Sequence, residues 1–159
     1  MVACATTDES WMDGAPRTIG PTVVVAEGDQ EGTAWRFFAF ATDDGFCSVV
    51  EFQERPTGPG DRLCEIARDP PRRLELSYSR LTGRPDVVTG LLRSEADRLT
   101  IDTRFDGSFA VDAIEPPAEL NLASDLFVAV LPHGTTIVRV DVFNEAGDVI
   151  QEYDSGLSP

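Results

Sequence analysis

Residues 98–114 read RLTIDTRFDGSFAVDAI, and this stretch decides the fold class. Every second residue of its first half belongs to one face of a β-strand: Leu99, Ile101, Thr103 and Phe105. Asp106-Gly107 then provides the backbone angles of a tight turn, and a second alternating run follows it. The stretch therefore predicts an antiparallel β-hairpin.

Similar segments fill most of the chain, with turn residues between them every eight to twelve positions. Residues 33–52 predict a hairpin that turns at Asp43, Asp44 and Gly45, and residues 135–153 predict another that turns between Asn144 and Gly147. Because short, evenly spaced strands are typical of sandwiches and barrels, we predict an all-β, antiparallel β-sandwich with little or no helix.

The predicted organisation is one domain preceded by a tether. Residues 1–20 are small, polar and aperiodic, which is typical of a flexible N-terminal segment. Residues 21–159 carry the strand pattern and form the predicted single sandwich domain. Within it, LFVAVL at residues 126–131 is apolar at every position, so we expect either a central strand covered on both faces or a strand whose second face meets the edge of the other sheet.

The charge of the chain excludes some classes of partner. There are 28 acidic residues against 13 basic residues, all of them arginine, for a formal net charge of −15. Nucleic-acid binding needs a basic surface, and the chain offers only one short cluster: Arg68, Arg72, Arg73, Arg80 and Arg84. We therefore predict no nucleic-acid partner.

The first residues, MVAC, resemble the end of a bacterial lipobox, in which the cysteine becomes a lipidated mature N-terminus. A positive region and an apolar region would have to precede it. Two interpretations stay open. Either such a signal lies upstream of Met1 and Cys4 is lipidated, or Cys4 belongs to the terminus of a cytoplasmic protein.

Cys47 and Cys64 each lie in a predicted strand, with a proline- and glycine-rich loop between them. Paired, they would close a loop of about 17 residues and stabilise the fold by roughly 3 kcal/mol. A metal site is a poorer explanation because the chain has no CxxC pattern and only one histidine. We predict a disulfide, which implies an oxidising compartment; two buried thiols are the alternative.

The order of four segments adds a resemblance: EGTAWRFFAFATDDGFC, VVTGLLR, LFVAVLP and VDVFNEAGDVI. From Val87 onward this order resembles immunoglobulin-like or fibronectin-like modules. More narrowly, residues 23–153 are similar to an uncharacterised family of exported or lipid-anchored proteins from high-GC bacteria. That resemblance implies an extracytoplasmic location and supports the pairing of Cys47 with Cys64, but it implies no catalytic residue.

Candidate chemistry in the chain is sparse. His133, the one imidazole, lies between Pro132 and Gly134, and a turn role explains it better than catalysis. No carboxylate pair stands out as a glycosidase would need. Oxygen ligands for calcium gather only where β-turns also require them: Asp43, Asp44, Asp106, Asn144, Glu145 and Asp148. We predict no catalytic residue, metal site or cofactor.

Aromatic residues crowd the first predicted hairpin: Trp35, Phe37, Phe38, Phe40 and Phe46. Phe37 and Phe38 are adjacent, so they point to opposite faces of the strand. One of them leaves the main core unless a second layer covers it. An exposed aromatic surface would suit carbohydrate or protein binding, whereas full burial between sheets is the simpler interpretation.

Together these observations favour a non-enzymatic binding or structural module that works outside the cytoplasm, with a protein or cell-surface partner. Contact with a membrane would be through a lipid on Cys4 only. The alternatives are a hydrolase with an acidic active site and a calcium-stabilised surface adhesion module. A cleft with converging acids would favour an enzyme, whereas an unpaired strand edge or a flat apolar patch would favour a binding module.

Overall fold

The structure is a computed structural model that describes residues 17–53, 62–65, 69, 71–80 and 82–156, with the backbone alone for 62–65. It divides into two compact units. The first comprises Met1–Ala67 and Pro116–Leu122, and the second comprises Arg68–Glu115 and Ala123–Pro159. Each unit is described by itself below. The predicted tether, residues 1–20, lies mostly outside the described residues.

The first unit contains one antiparallel sheet with the strand order β1-β2-β3-β4. Its strands are β1 Val23–Gln30, β2 Thr33–Thr42, β3 Gly45–Phe52 and β4 Arg62–Glu65. Glu31 and Gly32 both have positive φ (52° and 81°), as a two-residue hairpin turn requires. The chain already bonds to this sheet at Ile19, whose N–H donates to the Ala41 carbonyl (3.0 Å).

One face of this sheet is closely packed. Phe37, Ala39, Phe46 and Val50 share it and are all buried, because alternate residues of β2 and their partners in β3 point the same way. A short 3₁₀ turn at Ala118–Leu120 contacts β2, with Leu120 buried. It is the one helical turn among the described residues, as the predicted low helix content requires.

The second unit is a sandwich of two antiparallel sheets, one of three strands (β5-β6-β9) and one of four (β11-β10-β7-β8). The strands are β5 Ser77–Ser79, β6 Asp86–Leu92, β7 Ala96–Thr103, β8 Ser108–Asp112, β9 Asp125–Leu131, β10 Ile137–Asn144 and β11 Val149–Asp154. Seven strands divided into sheets of three and four is also the count in a seven-stranded immunoglobulin-type sandwich. The all-β sandwich prediction is confirmed.

The core of the second unit joins the two sheets. Leu99, Ile101, Val140 and Val142 of the larger sheet are fully buried. They form one apolar cluster with residues of the smaller sheet: Val88, Leu92, Phe127, Ala129 and Leu131. Leu99 and Ile101 alternate with polar residues as the opening hairpin predicted, and β7 pairs with β8 across the Asp106-Gly107 turn.

β9 is buried at five of its seven positions, as its apolar run predicts, but it is not the central strand that was one of the two expectations. β9 lies at the end of the ladder β5-β6-β9, and beyond it the described residues form only an isolated bridge between Leu126 and Ile114. The central strand is β6, which is buried at all seven positions. Thr89 and Gly90 interrupt its apolar run, so hydropathy alone ranks β9 above it.

Candidate functional site

A groove of about 790 Å³ opens between β11 and residues 73–76 in the second unit. Residues 74–76 precede β5 and belong to no strand of the described structure. β11 is the last strand of its sheet, with β10 on one side only. The groove is therefore bordered by a sheet edge to which no other described strand is paired.

The register shows which backbone groups of β11 face the groove. The Ser155 N–H donates to the Val138 carbonyl (3.0 Å), and Tyr153 pairs with Val140. Since hydrogen-bonded pairs alternate in an antiparallel ladder, Tyr153 directs its N–H and C=O to β10. Glu152 and Asp154 then direct theirs away from β10, toward the open side.

The inner wall of the groove is apolar. Tyr153, Leu76 and Ile137 line it and pack partly buried against the core, together with the buried Leu74. Tyr153 faces inward because it alternates with the outward-facing Glu152. A chain lying along β11 would therefore meet apolar side chains on its inner face.

The outer face beside the edge is acidic. Arg139 lies opposite Asp154 on β11 and opposite Asp102 on β7. Its Nε donates to Asp141 Oδ2 (2.8 Å), and its Nη2 lies 3.8 Å from Glu152 Oε2. The hydrogen bond to Asp141 and the surrounding carboxylates raise the pKa of Arg139. One arginine thus faces four carboxylates, and the face keeps a net negative charge.

A polar cluster closes one end of the groove. The Asp86 carboxylate is buried and accepts from Arg80 Nε (3.2 Å), Arg80 Nη2 (3.1 Å) and the Gly134 N–H (3.1 Å). The Tyr78 hydroxyl also donates to Asp86 Oδ2. Arg80 Nη2 reaches the Thr135 carbonyl as well (2.7 Å). The cluster ties the end of β5 and the start of β6 to the loop before β10.

The cluster changes the acidity of Tyr78. Burial, followed by the hydrogen bond to Asp86 and the charge of that carboxylate, raises the pKa of Tyr78 from 10.0 to about 12. Arg80 lies over the Tyr78 ring at 5.3 Å. The neutral Tyr78 phenol donates to the buried Asp86 carboxylate, and Arg80 neutralises that carboxylate. These three side chains form a structural network, and the network activates no nucleophile.

His133 lies beside this cluster. Its Nδ1 is 2.9 Å from the Arg84 carbonyl oxygen and 3.6 Å from Asp86 Oδ1, the oxygen that has no hydrogen-bond partner among the described residues. Half of the His133 side chain is exposed. These contacts hold the loop in place.

The acids of the predicted turns bond to backbone and side-chain groups, in one case to a residue distant in the sequence. Asp43 accepts from the Arg17 N–H (2.8 Å), and Asn144 Oδ1 accepts from the Asp148 N–H (2.8 Å). The Asp106 N–H donates to the Thr103 hydroxyl (3.0 Å). Within the described part of the chain, no three histidine, cysteine, aspartate or glutamate side chains gather where they could hold a metal ion. Asp106, Asn144 and Asp148 thus bond within their own turns, whereas Asp43 links its turn to Arg17.

The aromatic hairpin is mostly internal. Phe37, Phe40 and Phe46 are buried, whereas Trp35 and Phe38 are half-buried. Phe37 and Phe38 lie on opposite faces of β2 as expected, and Phe38 is the one that leaves the core. Its cross-strand neighbour Val24 is about half exposed (51%). The result is a small apolar patch without a broad aromatic platform.

The described residues include only part of the cysteines named in the sequence predictions. Cys47 is fully buried, and β3 and β4 place it directly opposite Cys64. The Cys64 side chain and the whole of Cys4 lie outside the described residues. Lipidation of Cys4 stays a prediction.

No family model, curated protein or solved structure matches this chain. Among the described residues, no helix has the length and apolarity that crossing a membrane would require.

The open edge of β11 was not predicted from the sequence, because a strand's pattern does not say whether another strand lies beside it. Two features of the sequence pointed to the groove and its acidic border. One is the short apolar alternation of LELSY at residues 74–78. The other is a group of three acids, Glu152 and Asp154 in QEYDSG and Asp141 in the partner strand β10.

Proposed function

We propose that this chain is a non-enzymatic binding module that works outside the cytoplasm, as a cell-envelope lipoprotein with a protein partner. The observation that carries the proposal is the edge of β11, to which no other described strand is paired, beside a groove with an apolar inner wall. An accessible edge presents a row of unpaired N–H and C=O groups, which is a template for pairing with another chain. The acidic outer face selects against partners of the same charge.

Photo-crosslinking tests the binding role. A photoreactive residue is placed at Glu152 on β11 and, as the matched control, at Ala110 on β8, the opposite edge of the same sheet. In the organism that makes the protein, we expect one discrete adduct from position 152 and none from position 110. Equal adducts from both positions, or none from either, would contradict the proposal.

The proposal includes a bond between Cys47 and Cys64. Paired residues of antiparallel strands have Cα atoms about 4.5–5.5 Å apart, which lies within the range of about 4.4–6.8 Å that disulfides span. We expect neither cysteine to be alkylated in the unfolded, unreduced protein from its native compartment, and both to be alkylated after reduction. Intact mass measures this. Two thiols that react before reduction would show that the bond is absent.

The anchor is the third part of the proposal. We expect the native product to begin at a lipid-modified Cys4, since the small residues before it and the polar segment after it are typical of lipoproteins. One acyl chain binds a membrane only weakly, so stable anchoring needs the several chains that such a cysteine carries. Membrane fractionation with mass spectrometry of the N-terminal peptide tests this. An unmodified peptide beginning at Met1 in the cytoplasm would contradict it.

A further inference from the structure

We propose that β11 receives an extended peptide as an added strand, and that the peptide alternates basic and apolar residues. This inference rests on the proposed binding function and names the class of partner. Strand addition to a sheet edge gains affinity from main-chain hydrogen bonds and specificity from alternate side chains. β11 provides both, and each can be assigned to particular residues.

The main-chain hydrogen bonds to the added strand would come from Glu152 and Asp154, whose N–H and C=O groups point away from β10. β11 is six residues long, which is an ordinary length for a strand pair. β11 has a register irregularity at Ile150, between its partners Val149 and Gln151, and β1 has one between Val24 and Ala26. The outward groups of Glu152 and Asp154 lie after the irregularity of β11, where the pairing with β10 is regular.

The specificity for side chains of the added strand follows from the two faces of β11. A residue of the added strand on the outer face would lie beside Glu152, most of whose side chain is exposed (72%), or beside Asp154. Opposite charges on neighbouring strands stabilise the pair and like charges destabilise it, so this face selects lysine or arginine. A residue on the inner face would lie beside Tyr153 and Leu76 in the groove, which selects an apolar side chain.

The same charges disfavour a second copy of this chain as the occupant. If two β11 strands paired about a twofold axis through Glu152, Glu152 of one chain would face Glu152 of the other. Two chains that each carry a formal charge of −15 would also repel each other. A different, basic partner fits the edge better.

Peptide titration tests the inference. The probe is a synthetic peptide with the length of β11 in which lysine and valine alternate, and the control replaces each lysine with glutamate. With the full chain, we expect the lysine peptide to bind, its affinity to fall as salt is raised, and the glutamate peptide not to bind. Amide signals of residues 150–154 should shift in the NMR spectrum on addition of the lysine peptide.

Proline variants distinguish strand addition at the β11 edge from a nonspecific attraction between a basic peptide and an acidic protein. Glu152→Pro removes an outward N–H without removing a bond to β10, and Ala110→Pro does the same on β8. We expect Glu152→Pro to weaken binding about tenfold and Ala110→Pro to leave it unchanged. Glu152→Gln measures the share of this loss that comes from the charge. Circular dichroism confirms that each variant is folded.

Four outcomes would overturn the inference: no binding of the lysine peptide, equal binding of both peptides, shifts that map to β8 or β1, or a dimer of the free chain closed through β11. The photo-crosslinking experiment remains independent of these. An adduct at position 152 without peptide binding would retain the binding function and reject this class of partner.

Discussion

Gly90 shows how a single residue without a side chain shapes the core of the second unit. A Cβ atom at this position would lie 2.6 Å from Phe127 Cε1 and 2.8 Å from the Glu75 carbonyl oxygen. Gly90 and Phe127 are cross-strand partners in β6 and β9. The glycine thus allows a fully buried ring and a backbone carbonyl to approach the strand together.

We expect Gly90→Ala to destabilise the protein by about 1–3 kcal/mol, because the Glu75 backbone cannot move as a side chain can. Gly28→Ala is the matched control. Its Cβ would lie 2.6 Å from Trp35 Cζ2, but this ring is half-buried and can shift. Urea unfolding measures both. A Gly90→Ala variant as stable as the parent would contradict the packing described for β6.

The acidity of Tyr78 gives a second prediction at this scale. Because the fold raises the pKa of Tyr78 from 10.0 to about 12, it favours the protonated phenol. The resulting stabilisation is present below pH 10 and is lost as the pH rises from 10 toward 12.

Only two tyrosines are present, so the phenolate absorbance can be assigned. In Tyr153→Phe we expect the remaining phenol to ionise at about pH 12 while the protein is folded. Tyr78→Phe should lack this transition. Ionisation near pH 10 in a folded Tyr153→Phe variant would show that the Asp86 cluster does not form in solution.

At the scale of elements, the hairpins were readable from the sequence and the order of the strands was not. Asp106-Gly107, Asn144–Gly147 and the turn at Asp43 mark local geometry, which depends on a few neighbouring residues. Whether β6 or β9 is central, and whether β11 has a neighbour, depends on contacts between distant segments. The candidate site is an edge, so its existence could not be predicted from local pattern.

The Asp86 cluster could not be predicted from local sequence either, because it too depends on contacts between distant segments. Tyr78, Arg80 and Asp86 are close in sequence, but the Gly134 N–H and the Thr135 carbonyl complete the network from a loop about 50 positions away. An aspartate before an apolar strand was visible in the sequence. Its partners were not.

The central position of β6 gives a prediction about elements. Val88 in β6 is fully buried, whereas Val130 in β9 is half-buried. We expect Val88→Ala to cost about 2 kcal/mol and Val130→Ala less than about 1 kcal/mol, since the same two methyl groups lose less packing where the side chain is already partly exposed. Chemical denaturation compares them. Equal costs would contradict the difference in burial described for Val88 and Val130.

For the molecule as a whole, the second unit has its own core. Every residue of the main apolar cluster belongs to this unit. A length of about 100 residues is also usual for a sandwich of this kind.

We therefore expect the fragment Arg68–Pro159 to fold alone, with dispersed amide signals and cooperative thermal unfolding. A fragment that gives a collapsed, undispersed spectrum would show that the second unit depends on the first. The unaltered full chain is the control for signal positions.

Amide hydrogen exchange along β11 in the full, free chain tests the open edge most directly. We expect the N–H groups of Gln151 and Tyr153, which bond to β10, to exchange slowly, and those of Glu152 and Asp154 to exchange quickly. Residue-resolved NMR in deuterated solvent distinguishes the two sets. Fast exchange alternating with slow exchange is the predicted result. Slow exchange at all four positions would mean that the edge is already paired, and would contradict the account.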